Sequence, residues 1–210
     1  MVANPNFNYL TPEEYLKFEE ASLIKHEYRN GYAYPIAGTL DSQGQPSAMA
    51  GATDSHVTIT INLVSGLKSH LRGSRCRPYV ADMKAHIEAK NTYYYPDLMV
   101  TCDERDRAFS LFKRHPCLII EVLSDSTEAF DRGEKFEDYR SIDTLQEYVL
   151  VSQTRKRVEC FRRNAEGLWV LYSFAADDTL HLTSINFSCA VAEIYEDVEF
   201  ATAPPSTTNN

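Results

Sequence analysis

Tyr95-Pro96-Asp97-Leu98-Met99-Val100 and Leu118-Ile119-Ile120-Glu121-Val122-Leu123 decide how this chain folds. Both stretches are short and apolar, the pattern of strands buried on both faces of a sheet. Each carries one carboxylate that hydrophobic patterning does not explain. Glu121 is the sharper anomaly, with three aliphatic residues before it and two after. An ionised carboxylate in that setting is very costly unless it is paired, metal-bound or protonated. Asp97 follows Pro96, whose fixed φ and missing N–H suit a strand start or edge. Residues 98–120 suffice for one strand, a loop and the next strand. Two neighbouring strands can therefore hold both carboxylates at one end of a sheet.

Downstream, Ser124 to Thr127 supplies turn and cap residues, and residues 127–141 read as a helix. Lys135 lies in its middle, one turn after Asp131 and one turn before Tyr139. Residues 142–145 turn into Glu147–Ser152, another apolar strand. Strand, helix, strand in this order is a right-handed crossover candidate and makes this part of the sheet parallel. Two carboxylates and a Lys at a sheet edge suit a hard divalent cation and a water aimed at phosphate. Singly, each has an ordinary reading. Asp97 can satisfy local backbone donors, Glu121 can pair with Lys135, and Lys135 can pair with Asp131 or Asp138. The convergence of all three is what points to chemistry.

Upstream, Thr11, Pro12 and Glu14 mark a helix start, with the helix running to about Glu20. Asn30-Gly31, between residues 25–29 and 32–36, is the strongest short hairpin signal in the chain. Glu27 precedes that turn, where an edge-strand ion pair with Lys25 or Arg29 is its bland role. Residues 38–51 are rich in Gly, Ser, Gln and Pro and read as a long surface loop that can serve as a flap. Asp54 or Ser55 caps a helix over residues 56–72, with Val57, Ile61, Val64, Leu67 and Leu71 as its apolar stripe and His56 in its first turn. Strands are expected at 77–83 and 85–88, and Tyr93-Tyr94-Tyr95 packs at a sheet edge. After Gln153 the pattern alternates: residues 157–163 and 168–174 form a hairpin about Asn164–Gly167. A short strand at 180–182 and a helical turn at 191–195 follow.

The expected architecture is α/β or α+β, a mixed sheet flanked by helices with additional antiparallel hairpins. It forms one domain over residues 10–200, with a flexible lead-in (1–9) and a disordered tail (201–210). The chain of 210 residues is 43% hydrophobic and 24% charged, with a net charge of −9. That acidity counts against nucleic-acid binding overall, although local patches matter more than the sum. The basic patches are Lys68, Arg72, Arg75 and Arg77; Lys113, Arg114 and His115; Arg155, Lys156 and Arg157; and Arg162 with Arg163. Cys76, Cys102, Cys117, Cys160 and Cys189 are scattered and odd in number. They read as small buried hydrophobes and not as a disulfide framework or zinc ribbon. No apolar run resembles a signal or a membrane span, so a cytoplasmic protein without membrane partners is expected.

Tyr95-Pro96-Asp97, Pro116–Ser124, Asp131…Lys135…Tyr139 and Glu147-Tyr148 together resemble the Uma family. Leu10–Leu16 and Glu27…Gly31 resemble its N-terminus. That family is assigned to the restriction-endonuclease-like PD-(D/E)XK superfamily. The resemblance covers residues 9–198 and implies the corresponding fold and metal-dependent phosphodiester hydrolysis of nucleic acid, DNA before RNA. It implies Mg²⁺, with Mn²⁺ as substitute, held by Asp97, Glu121 and the Val122 main-chain carbonyl. Lys135 would be the catalytic cation, and Glu27 and His56 accessory groups. One departure is plain: Glu-X-Lys would put Lys at 123, where this chain has Leu123. The family's Lys lies on the following helix, here Lys135. Two alternatives remain: a non-cleaving relative that serves as a dimeric binding or scaffold module, and a small-molecule phosphohydrolase without a phosphate loop. Apolar C-terminal strands and exposed tyrosines suit a homodimer.

Overall fold

The computed structural model describes residues 9–36 and 52–200. The expected flap at 38–51, most of the lead-in and the C-terminal tail lie outside the described residues. Helix α1 (Pro12–Ala21) starts on its sequence signal. Glu14 N–H donates to the Thr11 hydroxyl, and Thr11 N–H donates to the Glu14 carboxylate. Strands β1 (His26–Arg29) and β2 (Tyr32–Pro35) form the expected hairpin, with Asn30 at φ 47° and Gly31 at φ 97°. A side chain at Gly31 would meet the Tyr9 ring as well.

Helix α2 (Asp54–His70) is capped by Thr53, one residue earlier than expected. Its buried face also differs. Ile59, Leu63 and Leu67, continued by Leu71, enter the core, while Val57 and Ile61 are exposed. The helix is apolar on two sides, so periodicity alone does not choose between them; packing onto the sheet does. Burial of each such side chain contributes about 1.5–3 kcal/mol.

Next come β3 (Arg77–Val80), β4 (Lys84–Ile87), β5 (Thr92–Tyr94), β6 (Leu98–Thr101), β7 (Phe112–Lys113) and β8 (Pro116–Leu123). The strand expected at 77–83 ends at Val80, because Ala81 turns to φ 42°. Helices α3 (Glu128–Arg132) and α4 (Glu134–Tyr139) stand where one helix was expected. Gly133, at φ −108° and ψ −105°, interrupts it. The chain ends with β9 (Glu147–Ser152), β10 (Val158–Arg163), β11 (Trp169–Phe174), β12 (Thr179–Leu182), β13 (Phe187–Ala190) and α5 (Val191–Ile194).

A six-stranded sheet runs β11-β10-β9-β8-β6-β3, antiparallel except for the parallel β8–β9 pair produced by the expected crossover. A five-stranded sheet runs β2-β1-β5-β4-β7, and β12 pairs with β13 separately. Alternation on β8 explains its apolar run. Leu118, Ile120 and Val122 face the core built with α2. Ile119 and Leu123 face a second core containing Phe136, Tyr139 and Tyr148. The central strand is thus covered on both faces, as its composition requires. This is the mixed, helix-flanked α+β architecture with added hairpins. No helix among the described residues is long and apolar enough to cross a membrane.

The cysteine expectation needs correction. Cys76 and Cys102 form a disulfide. Antiparallel pairing sets Arg77 opposite Thr101, so the next residues outward, Cys76 and Cys102, also face each other. That pairing is long-range and leaves no mark in cysteine spacing.

Candidate active site

Asp97 belongs to neither sheet. Tyr95, Pro96 and Asp97 form a link that leaves β5 in one sheet and enters β6 in the other, so the stretch read as a single strand is a junction. The last rung between β6 and β8 pairs Leu98 with Ile120. Beyond it, the Asp97 side chain takes the place of a strand: Val122 N–H donates to Asp97 Oδ2 at 2.7 Å. Asp97 N–H in turn donates to Glu121 Oε2 at 3.3 Å. The N–H and C=O of one strand residue face the same neighbouring strand, so the Val122 carbonyl faces the Asp97 side as well.

Glu121 points to the α4 face and is 3% exposed. Lys135, 5% exposed, reaches its Oε1 at 2.8 Å. Tyr139 donates to the same oxygen at 3.3 Å. The Lys135 ammonium also lies 3.3 Å from Asp131 and 3.9 Å from Glu27. Asp138, the other partner considered for Lys135, is taken by the Tyr94 hydroxyl and Lys90. The break at Gly133 does not separate Asp131 from Lys135. His56, from the first turn of α2, approaches Asp97 Oδ2 with Nε2 at 3.3 Å. Glu121, Lys135, Glu27 and Asp131 therefore form one buried cluster. Asp97 and His56 form a more open extension of it, with Asp97 26% exposed at the side chain.

The electrostatics follow from that count. Burial alone would lower Lys135, but the carboxylates of Glu121, Asp131 and Glu27 outweigh it and hold the ammonium well above its ordinary value. Burial holds Glu121 well above the usual carboxylate range, with Lys135 pulling it back. Glu27 is raised for the same reasons. Burial also opposes charge on His56, yet the hydrogen bond and charge of Asp97 raise it overall. One buried ammonium thus answers three buried carboxylates. The excess negative charge is met by protons or by an added cation.

The donors fit a hard divalent cation. Two carboxylates and a main-chain carbonyl are all oxygen, and one carboxylate is open to solvent. Mg²⁺ takes one or two carboxylates and keeps several waters. Among the described residues no group of three or more His, Cys, Asp or Glu side chains is arranged to hold a metal.

Several groups elude sequence reasoning. Asp131 was one of several partners for Lys135, and Tyr139 only a spacing marker. Tyr95 donates to Glu19, which also receives the His26 main-chain N–H, and this anchors the residues just before Asp97. Buried Glu147 is bound by Arg162, Thr183 and Ser184. Its signal is present in the sequence: a carboxylate on an apolar strand, at the head of β9 where Glu121 lies within β8. The basic patches change too. Lys113 is 4% exposed and donates to the carbonyls of Asp106 and Phe109, so its ammonium serves the 106–113 turn and not an exposed basic patch. Arg162 is committed to Glu147. Lys68, Arg72, Arg75, Arg77, Arg155 and Lys156 stay exposed.

Comparison with known proteins agrees with this architecture. The family model Uma2, described as "Putative restriction endonuclease", matches residues 12–192. Two proteins of Synechocystis sp. are similar in sequence. "Uncharacterized protein slr1290" is 40% identical over 194 residues, 92% of this chain and 95% of that one. "Uncharacterized protein sll1609" is 35% identical over 165 residues, 77% and 85% of the two chains. A crystal structure titled as a "putative nuclease belonging to DUF820" from Anabaena variabilis superimposes with a TM-score of 0.66 at 16% identity. It covers 89% of this chain and 98% of its own. At that identity the likeness is one of fold.

Proposed function

This chain belongs to the Uma2 family, and we propose that it is a metal-dependent nuclease hydrolysing phosphodiester bonds, with DNA as substrate. The observation that carries the reading is the 2.8 Å contact of Lys135 with Glu121 beside Asp97, inside a cluster with more carboxylates than cations. Asp97, one oxygen of Glu121 and the Val122 carbonyl would hold Mg²⁺, with Mn²⁺ as substitute. The cation supplies charge neutralisation at the scissile phosphate and acidity to a neighbouring water. Lys135 keeps Glu121 oriented and offers its ammonium to charge that develops during attack. A lysine can do this from a helix because its stem is long and its charge compact. Asp131 and Glu27 hold that ammonium in place from behind. His56 donates to Asp97 Oδ2 when protonated and so fixes the carboxylate's rotamer. A single domain over residues 10–200, a cytoplasmic setting and a homodimer complete the reading. The dimer is supported by the exposed Val170, Leu171 and Tyr172 on β11, an edge strand without charge or proline.

The test is cleavage of plasmid and single-stranded DNA, with RNA in parallel, in Mg²⁺ and Mn²⁺. Asp97→Ala, Glu121→Ala and Lys135→Ala should each lose at least about 100-fold in rate, in line with removal of a group that stabilises transition-state charge. Thermal unfolding checks that each variant is folded. Undiminished cleavage by a folded Asp97→Ala or Glu121→Ala protein refutes the assignment. A second reading, a non-cleaving binding module, is favoured by the net charge of −9. It predicts no metal-dependent rise in thermal stability, whereas the nuclease reading predicts a rise that Asp97→Asn and Glu121→Gln abolish.

A further inference from the structure

Three sulfurs meet at the end of the six-stranded sheet opposite the carboxylates. Cys76 and Cys102 are joined across β3 and β6. The free thiol of Cys117 lies with its Sγ 3.6 Å from Cys102 Sγ. This third sulfur is there because of a register shift. Val100 pairs with Leu118 and Thr101 with Pro116, so Cys117 is an extra residue on β8 with no partner on β6. Such a bulge lifts a side chain out of strand alternation and re-aims it. The shift aims Cys117 at the bridge. A cavity of about 380 Å³ beside the bridge is lined by Cys102 and Cys117 together with Arg75, Asp103 and His115.

We propose that Cys76, Cys102 and Cys117 form a thiol–disulfide exchange site in which the bridge moves between Cys76–Cys102 and Cys102–Cys117. The Cys117 thiolate sulfur bonds to Cys102 Sγ as the Cys76–Cys102 bond breaks. The electron pair leaves on Cys76 Sγ, which takes up the proton that Cys117 gave up. One disulfide and one thiol stand on each side, so no oxidant or reductant is consumed. The cross-link changes strands: it ties β3 to β6 before the exchange and β6 to β8 after it. The second arrangement joins the two strands that follow Asp97 and carry Glu121. Burial pushes the Cys117 thiol up to about 11, so exchange at neutral pH draws on a small thiolate fraction and is slow.

The inference is independent of the nuclease reading and is tested on the full chain by peptide mapping. Protein purified without reductant is incubated at pH 9, quenched in acid, alkylated, digested and analysed by mass spectrometry. Cys76, Cys102 and Cys117 fall on separate tryptic peptides. In the wild type both linkages should appear, with Cys102–Cys117 growing over time at the expense of Cys76–Cys102. Cys117→Ser should lose the second linkage entirely. Cys76→Ser, mildly oxidised, should form only the second. A wild-type protein that keeps Cys76–Cys102 alone through prolonged incubation overturns the proposal. So does one whose three thiols are all alkylated as isolated.

Discussion

Glu121 on β8 and Glu147 on β9 are buried carboxylates on adjacent parallel strands, yet their surroundings differ in kind. Glu147 is fully buried, and both of its oxygens are used. Arg162 and the Thr183 N–H donate to Oε1, and the Ser184 N–H and hydroxyl donate to Oε2. Two of those donors are main-chain groups opening a 3-10 helix over Thr183–Ile185, so the carboxylate also fixes that turn. Glu121 has one ammonium, shared with Asp131 and Glu27, one 3.3 Å tyrosine contact and one 3.3 Å main-chain contact. On the proposed function, Glu147 is a carboxylate kept for architecture and saturated by fixed donors, and Glu121 is one kept for chemistry and left able to take a cation.

The largest test of that contrast is to remove each carboxylate's cation. Lys135→Ala leaves three buried carboxylates without an ammonium and should cost about 3–5 kcal/mol in urea unfolding. Arg162→Ala should cost less, about 1.5–3 kcal/mol, because Thr183 and Ser184 remain. Equal losses would erase the distinction. Next in size is the cation itself. Mg²⁺ or Mn²⁺ at 100 times its dissociation constant should stabilise the wild type by about 2.7 kcal/mol. Glu147→Gln should keep that rise, and Glu121→Gln should lose it.

The pH dependence sharpens the comparison. Burial raises Glu121 above its ordinary 4.5, so the metal-free folded protein binds that proton more tightly than the unfolded chain. Its stabilising contribution is complete below 4.5 and is lost as pH rises through the raised value. The stability of Glu121→Gln relative to wild type should therefore climb as pH increases above 4.5, measured by thermal unfolding in chelator. A flat difference would mean that Glu121 is ionised throughout. The smallest effect belongs to Tyr139→Phe. It removes one long contact and should cost about 0.5–1.5 kcal/mol with metal binding unchanged.

Much of this was legible in the sequence because it is local. The Thr11 capping box, the Asn30-Gly31 hairpin, the 116–123 strand and the 147–152 strand depend on residues within one turn or one strand. Asp97 and Glu121 stand out because charge is costly on an apolar strand, and Lys135 because of its place on the helix that follows and the family resemblance. What the sequence hid depends on pairing between distant segments. Residue 76 gives no sign that it faces 102, and nothing near Glu147 names Ser184. The buried face of α2 was misread because Ile61 and Ile59 are equally apolar and only the sheet distinguishes them. Lys113 looked like surface charge because its carbonyl partners are main chain and have no residue signature.

The chain crosses between the two large sheets several times, and two of these crossings meet: residues 81–83 between β3 and β4, and residues 95–97 between β5 and β6. They are stitched together where Ala81 N–H donates to the Asp97 carbonyl at 3.2 Å. Where these two crossings meet, slippage of one sheet against the other is passed to the Asp97 main chain through the Ala81 N–H. Conversely, whatever immobilises the Asp97 carboxylate acts as a brake on that slippage. Slowed amide exchange at Ala81 on cation addition would record the brake from outside the carboxylate cluster itself.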